Sequence, residues 1–109
     1  MSKITTHVLD TALGKPAGGI AVALEANQDG RWSPLASGVT DADGRCQGLI
    51  DHAPVGNYRL TFAVGEYFAR ADRTSIYPEI TITFHCAGEG HYHLPLLLSD
   101  NGYTTYRGS

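Results

Sequence analysis

Apolar and polar residues alternate with period two along most of this chain. Ile20, Val22 and Leu24 alternate with Ala21, Ala23 and Glu25, and Tyr58, Leu60, Phe62 and Val64 alternate with Arg59, Thr61 and Ala63. The pattern returns in Ile80, Ile82 and Phe84 against Thr81, Thr83 and His85, and in Tyr92, Leu94, Leu96 and Leu98 against His91, His93, Pro95 and Leu97. Successive side chains of a strand point to opposite faces, so these segments predict strands with one face in a core and the other in water. Ile4 to Leu9 and Tyr103 to Arg107 predict strands at the two ends, while Trp32 to Val39 and a short piece around Arg45 fill the middle, giving about eight strands. Turn residues separate them: Gly14-Lys15-Pro16, Asp29-Gly30, Asp41-Ala42-Asp43-Gly44, Gly88-Glu89-Gly90 and Asn101-Gly102. Asn-Gly tolerates the positive φ angles of a two-residue hairpin loop. The strand through Leu98 is therefore expected to fold back antiparallel on Tyr103 to Arg107, bringing the tail beside His91-Tyr92-His93. Tyr67, Phe68 and Ala71 form an apolar stripe that predicts a helical turn or two over Glu66 to Asp72. Short strands at regular spacing with one minor helix predict an all-β fold, an eight-stranded β-sandwich.

Composition narrows the class. A chain of 109 residues fits a single domain over 1–109, large enough for a hydrophobic core and small enough for oligomerisation to add to its stability. With 42% hydrophobic and 17% charged residues it has the make-up of an ordinary globular protein, and a formal net charge of -3 argues against a nucleic-acid partner. The apolar run Leu94 to Leu98 is too short to span a bilayer, and Met1-Ser2-Lys3-Ile4 enters strand-like sequence without the apolar region of a signal peptide. The ending Arg-Gly-Ser is not a peroxisomal Ser-Lys-Leu address. These features predict a cytoplasmic protein with no membrane partner. Cys46 and Cys86 lack CxxC spacing and are expected to be buried free thiols.

Candidate chemistry centres on histidine and arginine. His91 and His93 share one face of their strand, opposite Tyr92 and Leu94. Three readings are open for the pair: a solvated strand face, acid/base catalysis by a neutral imidazole, or a zinc site completed by a third ligand from His7 or His85. His7 lies on the first strand, either as a partly exposed polar residue or as a functional one. Arg45 closes the Asp41 to Gly44 turn, either solvated or as an anion clamp whose planar fork suits carboxylate, enolate or urate-like anions, and Arg107 has the same capability. Ser109 has no glycine-flanked elbow to hold it as a covalent nucleophile, and Gly14-Lys15-Pro16-Ala17-Gly18-Gly19 lacks the GxGxxG and Walker patterns of phosphate cradles. Tyr106-Arg107-Gly108-Ser109 puts a cation, two hydroxyls and a glycine at the chain end, as a solvated edge or as a strand delivering polar groups to a site.

Taken together, Thr6-His7-Val8-Leu9-Asp10 with Gly14-Lys15-Pro16-Ala17, then Asp43-Gly44-Arg45, then His91-Tyr92-His93-Leu94-Pro95-Leu96-Leu97-Leu98-Ser99, and finally Tyr106-Arg107-Gly108-Ser109 resemble the transthyretin-related 5-hydroxyisourate hydrolases. The resemblance covers essentially the whole chain. It implies a transthyretin-like (prealbumin-like) sandwich that assembles as a homotetramer, a dimer of dimers, with active sites in the channel where dimers meet. The reaction it implies is hydrolytic ring opening of 5-hydroxyisourate, a small purine-derived molecule, to 2-oxo-4-hydroxy-4-carboxy-5-ureidoimidazoline on the way from urate to allantoin. No metal or organic cofactor is implied. Carried over by motif, catalytic roles fall on His7, His93, Arg45 and Ser109, and substrate contacts on His7, Arg45, Tyr106, Arg107, Gly108 and Ser109.

The residue chemistry agrees with such a cyclic amide hydrolase. One of His7 and His93 would deprotonate a water near the carbonyl while the other relays the proton, and Arg45 and Arg107 would meet the charge developing on oxygen and ring. Ser109 and the terminal carboxylate would orient water or substrate, with His91 supporting or incidental. One segment departs from the family: Ser99-Asp100-Asn101-Gly102 stands where many relatives carry a Pro-aromatic loop, which bears on turn geometry and not on chemistry. The rival within the same fold is a carrier such as the vertebrate transthyretins, which bind thyroid hormone in the channel. Lining a ligand channel with His7, Arg45, His93 and the polar tail is costly without a catalytic task, which favours the hydrolase.

Overall fold

The computed structural model describes residues 1–108. In chain order it contains β1 (Ser2–Asp10), β2 (Lys15–Pro16), β3 (Ala21–Gln28), β4 (Arg31–Val39), β5 (Arg45–Ala53), β6 (Gly56–Phe62), α1 (Val64–Arg70), β7 (Ile80–Cys86), β8 (Gly90–Ser99) and β9 (Gly102–Thr105). One sheet runs β2-β1-β8-β9 with β5 also paired to β1, and the other runs β4-β3-β6-β7. The predicted alternation sorts most of its residues as expected, the exception being Pro95, which is buried although it falls on the predicted solvent face of its strand. Ile4 and Val8 of β1, Val22 and Leu24 of β3, Leu60 and Phe62 of β6, Ile80 of β7 and Leu94, Leu96 and Leu98 of β8 are all buried between the sheets. Val64 and Phe68 of α1 are buried in the same core. Among the described residues no helix is long and apolar enough to cross a membrane.

Several predicted boundaries shift, each for a local reason. Lys15 and Pro16, predicted as part of a turn, pair with Asp10 and Leu9 as the short strand β2, so nine strands are formed among the described residues instead of eight. The short piece around Arg45 is a full nine-residue strand, irregularly paired to β1 with register shifts on both sides of Ile4. The helix starts two residues earlier than predicted and ends at Arg70. In the β8–β9 hairpin, Ser99 pairs with Gly102, so the loop residues are Asp100 and Asn101, and neither Asn101 nor Gly102 takes positive φ. The side chains of the loop explain this register: Asp100 holds Arg73, and Asn101 Oδ1 accepts the N–H of Ile76 at 3.0 Å. Positive φ occurs instead at Asp29 (55°) and Gly30 (82°), the two-residue loop joining β3 to β4.

A polar cluster ties the end of β1 to the helix and to this hairpin. The Asp10 carboxylate, fully buried, accepts from Arg73 Nη1 at 2.6 Å, from the Tyr67 hydroxyl at 2.7 Å and from the Leu13 N–H at 3.0 Å, and Arg73 Nη2 reaches Asp100 at 2.6 Å. Burial alone would raise the Asp10 pKa, but these donors outweigh it and hold the group below its ordinary 3.8. Burial, reinforced by the bond to Asp10, pushes the Tyr67 hydroxyl up to about 12.

Candidate active site

Because β1 lies between β8 and β5, its outward-facing residues meet side chains from both neighbours. The parallel β1–β8 register sets Lys3 beside His91, Thr5 beside His93 and His7 beside Pro95, while the antiparallel β1–β5 register sets His7 beside Arg45. Arg45 is placed there by the turn from β4 to β5. Asp41 Oδ1 accepts the N–H groups of Asp43 and Arg45 at 2.9 and 3.1 Å. Gly44, at φ 77°, packs so tightly on the Val8 carbonyl that no side chain fits at this position. The same turn orients His7, whose Nε2–H donates to the Asp43 carbonyl at 2.6 Å and so leaves Nδ1 as the unprotonated nitrogen of the neutral ring.

Thr5, Arg45, Gln47, His91 and His93 line a cavity of about 170 Å³ between these strands. The Thr5 hydroxyl lies 2.7 Å from His91 Nε2 and 2.8 Å from His93 Nδ1, and the two imidazoles are tilted with centroids 6.0 Å apart. Burial first, then unfavourable electrostatic coupling to His91, Arg45 and His7, holds the His93 pKa below its ordinary 6.5. His93 is therefore a neutral imidazole at pH 7, a group able to accept a proton. Its Nδ1 is taken by Thr5, and its Nε2 has no hydrogen-bond partner among the described residues.

The tail does run beside β8, as the hairpin predicts, but as a strand only to Thr105. The Thr105 hydroxyl donates to the Pro95 carbonyl at 2.8 Å, and Gly108 forms an isolated antiparallel bridge to His93, its N–H donating to the His93 carbonyl at 2.7 Å. Arg107 lays its guanidinium 3.9 Å from the Tyr92 ring centroid and donates to the His91 carbonyl at 3.2 Å, so within one chain it braces the histidine segment and is absent from the cavity wall. Tyr106 is 53% exposed. Ser109, assigned catalytic and substrate-orienting roles from sequence, lies outside the described residues.

The structure thus gathers Arg45 and His93 into one cavity, sets His7 one step along β1 from it, and presses Gly108 against His93. His85, a candidate third zinc ligand, sits on β7 in the opposite sheet and hydrogen-bonds Asn57 at 2.7 Å. Among the described residues no group of three or more His, Cys, Asp or Glu side chains is placed to hold a metal ion. Cys46 and Cys86 are buried free thiols as predicted. Sequence reasoning missed Thr5 and Gln47. Period two from His7 puts Thr5 on the same face of β1, but its partners come only from the pairing with β8.

Comparison with known proteins gives a concordant result. A family model described as the HIUase/Transthyretin family matches residues 4–108. A 5-hydroxyisourate hydrolase of Salmonella dublin is 45% identical over 109 residues, covering 97% of this chain and 80% of that protein. The solved structure of Klebsiella pneumoniae 5-hydroxyisourate hydrolase superposes with a TM-score of 0.88 at 41% identity, covering 100% of this chain and 94% of the other. Transthyretin from Sparus aurata superposes with a TM-score of 0.91 at 35% identity, covering 96% and 95%.

Proposed function

The chain belongs to the HIUase/transthyretin family, and we propose that it opens the ring of 5-hydroxyisourate in the cavity between β1, β5 and β8 by histidine-assisted attack of water. Its activity is that of a 5-hydroxyisourate hydrolase acting in urate catabolism. The observation that carries the mechanism is a partly buried His93, held neutral, facing the same small cavity as the Arg45 guanidinium. In this reading His93 Nε2 takes a proton from a water whose oxygen bonds to the ring carbonyl carbon. Arg45 meets the negative charge on the carbonyl oxygen. The proton then passes to the ring nitrogen as its bond to that carbon breaks. His7, fixed through Asp43, holds a lone pair at Nδ1 for relaying protons or contacting substrate. Tyr106, Arg107, Gly108 and Ser109 complete the substrate-binding wall, with Ser109 orienting water or substrate.

A homotetramer, built as a dimer of dimers from single 1–109 domains, completes the site in this proposal. Two observations support it. The cavity of one chain, about 170 Å³, is smaller than the roughly 300–1,000 Å³ usual for ligand pockets, so walls from a second copy have a role. The chain turns from β4 into β5 at one side of the sandwich, which leaves β7 and β9 as the edges of the two sheets on the other, where a second copy can extend both. The free thiols of Cys46 and Cys86 fit the reducing cytoplasm in which we place the enzyme.

The test is to generate 5-hydroxyisourate in situ from urate and follow its ultraviolet decay with and without the protein. Faster decay is the expected result, unaffected by EDTA. Decay at the spontaneous rate overturns the hydrolase reading.

A further inference from the structure

The Thr5 hydroxyl touches both histidines of the β8 pair, at 2.7 Å to His91 Nε2 and 2.8 Å to His93 Nδ1. A hydroxyl has one proton to donate, so Thr5 cannot serve both rings as a donor. When it donates to His91 Nε2 it accepts from His93 Nδ1–H, and the neutral His93 ring then carries its lone pair on Nε2, the nitrogen left free to meet a water. When it donates to His93 Nδ1 instead, Nε2 is protonated and can only give a proton. The direction of one hydroxyl therefore sets whether His93 is a base or an acid.

We propose that Thr5 is a positioning residue that selects the His93 tautomer and links His93 to His91 as a proton relay. The proposal rests on the hydrolase reading and assigns a task to His91, the exposed member of the pair. As His93 Nε2 takes a proton from the attacking water, the Nδ1–H bond breaks and its proton passes to Thr5 Oγ1, while the original Thr5 proton passes to His91 Nε2. Thr5 ends neutral, His93 ends neutral with Nε2–H, and the positive charge rests on His91. The reverse shift accompanies delivery of the Nε2 proton to the leaving ring nitrogen, so no proton is gained or lost and no co-reactant is needed. The surroundings explain why the charge moves. Partial burial and the Arg45 guanidinium facing the same cavity from β5 oppose an imidazolium at His93. His91 is exposed to water with Lys3 beside it in register, and Arg107 of the tail bonds its carbonyl. Water around His91 screens such neighbours better than the half-buried setting of His93 does.

Thr5→Val keeps the β-branched shape on an outward strand position and deletes the hydroxyl, whereas Thr5→Ser keeps the hydroxyl. The expected result is a kcat lower by about 10- to 100-fold in Thr5→Val, the scale on which loss of a partner orienting a histidine is felt. KM stays near wild type, and Thr5→Ser restores most of the rate. Nitrogen-15 spectra of the histidine rings, taken without substrate near pH 7.5, are expected to show His93 protonated at Nδ1 in wild type and Thr5→Ser and shifted toward Nε2–H in Thr5→Val. A wild-type kcat in Thr5→Val, or an unchanged His93 tautomer, overturns the proposal. The tautomer measurement needs no turnover, so it decides the role of Thr5 even where wild type fails to accelerate decay, an outcome that strikes the hydrolase reading alone.

Discussion

Gly108 donates its N–H to the His93 carbonyl at 2.7 Å, and a Cβ at Gly108 would stand 2.8 Å from His93 Cδ2, closer than real Cβ contacts come. Cδ2 is bonded to Nε2, the nitrogen assigned to meet water. Glycine is required there by contact with the His93 ring, since its φ does not lie in the left-handed region.

Gly108→Ala is therefore expected to displace the imidazole or lift the tail, lowering kcat by up to about 100-fold, as misplacement of a reacting group by an ångström can do. The melting temperature should change little, because the residue lies beyond the β8–β9 pairing that ends at Thr105. Kinetics and a melt on the same sample check this. A variant with wild-type kcat would show that the approach of Gly108 to His93 plays no part in turnover.

The pH profile carries a second expectation. Burial, and after it electrostatic coupling to His91, Arg45 and His7, depresses the His93 pKa, so its base form persists below the ordinary 6.5. Rate should be retained as pH falls to 6.5 and lost as it falls through the lowered His93 value. Removing a cation relaxes the depression: Arg45→Gln should move the acid limb of kcat/KM upward toward 6.5 as well as reducing the rate. An acid limb above 6.5 in the wild type would exclude His93 as the base.

The alternations at 20–24, 58–64, 80–84 and 92–98 were legible because period two reports a single buried face, and each marks part of a core strand of the sandwich. β5 was under-read because Gly48, Asp51 and His52 interrupt its alternation, and the structure accommodates them with register shifts along β1. The Asn101-Gly102 signal was real as a turn but misplaced by one residue, since Asp100 and Asn101 use their side chains to anchor other loops. At the site, the shared face of His91 and His93 followed from spacing alone. Thr5 did not, because its role depends on a parallel pairing between segments 88 residues apart, which no local pattern encodes.

Asp10 predicts how the fold fails in acid. Its folded pKa lies below the ordinary 3.8, so its contribution is fully present above 3.8 and is lost as pH falls through the lowered folded value. Acid unfolding should therefore steepen below about pH 4. Asp10→Ala removes that dependence and leaves Arg73, itself only 16% exposed, without its buried partner. The expected loss is about 3–5 kcal/mol, measured by denaturant unfolding at pH 7. A loss below about 1 kcal/mol would mean that the cluster holds the helix and hairpin no better than a surface ion pair does.

Truncation after Thr105 separates the tail's chemistry from the fold. The four β8–β9 pairs, Leu96 with Thr105 through Ser99 with Gly102, remain intact, so the shortened chain should fold with a near-native melting temperature. What it loses is the Gly108 bridge to His93, the Arg107 brace on Tyr92 and the His91 carbonyl, and Ser109. Removing one preorganised polar group from such a site costs about 100- to 1,000-fold in kcat, so the truncated enzyme should lose at least that much. Arg107→Lys divides the effect. Lysine keeps the charge but not the planar stack on Tyr92. A rate near that of the truncation would place the tail's main contribution in bracing the His91–His93 segment, and a rate near wild type would place it in Gly108 and Ser109.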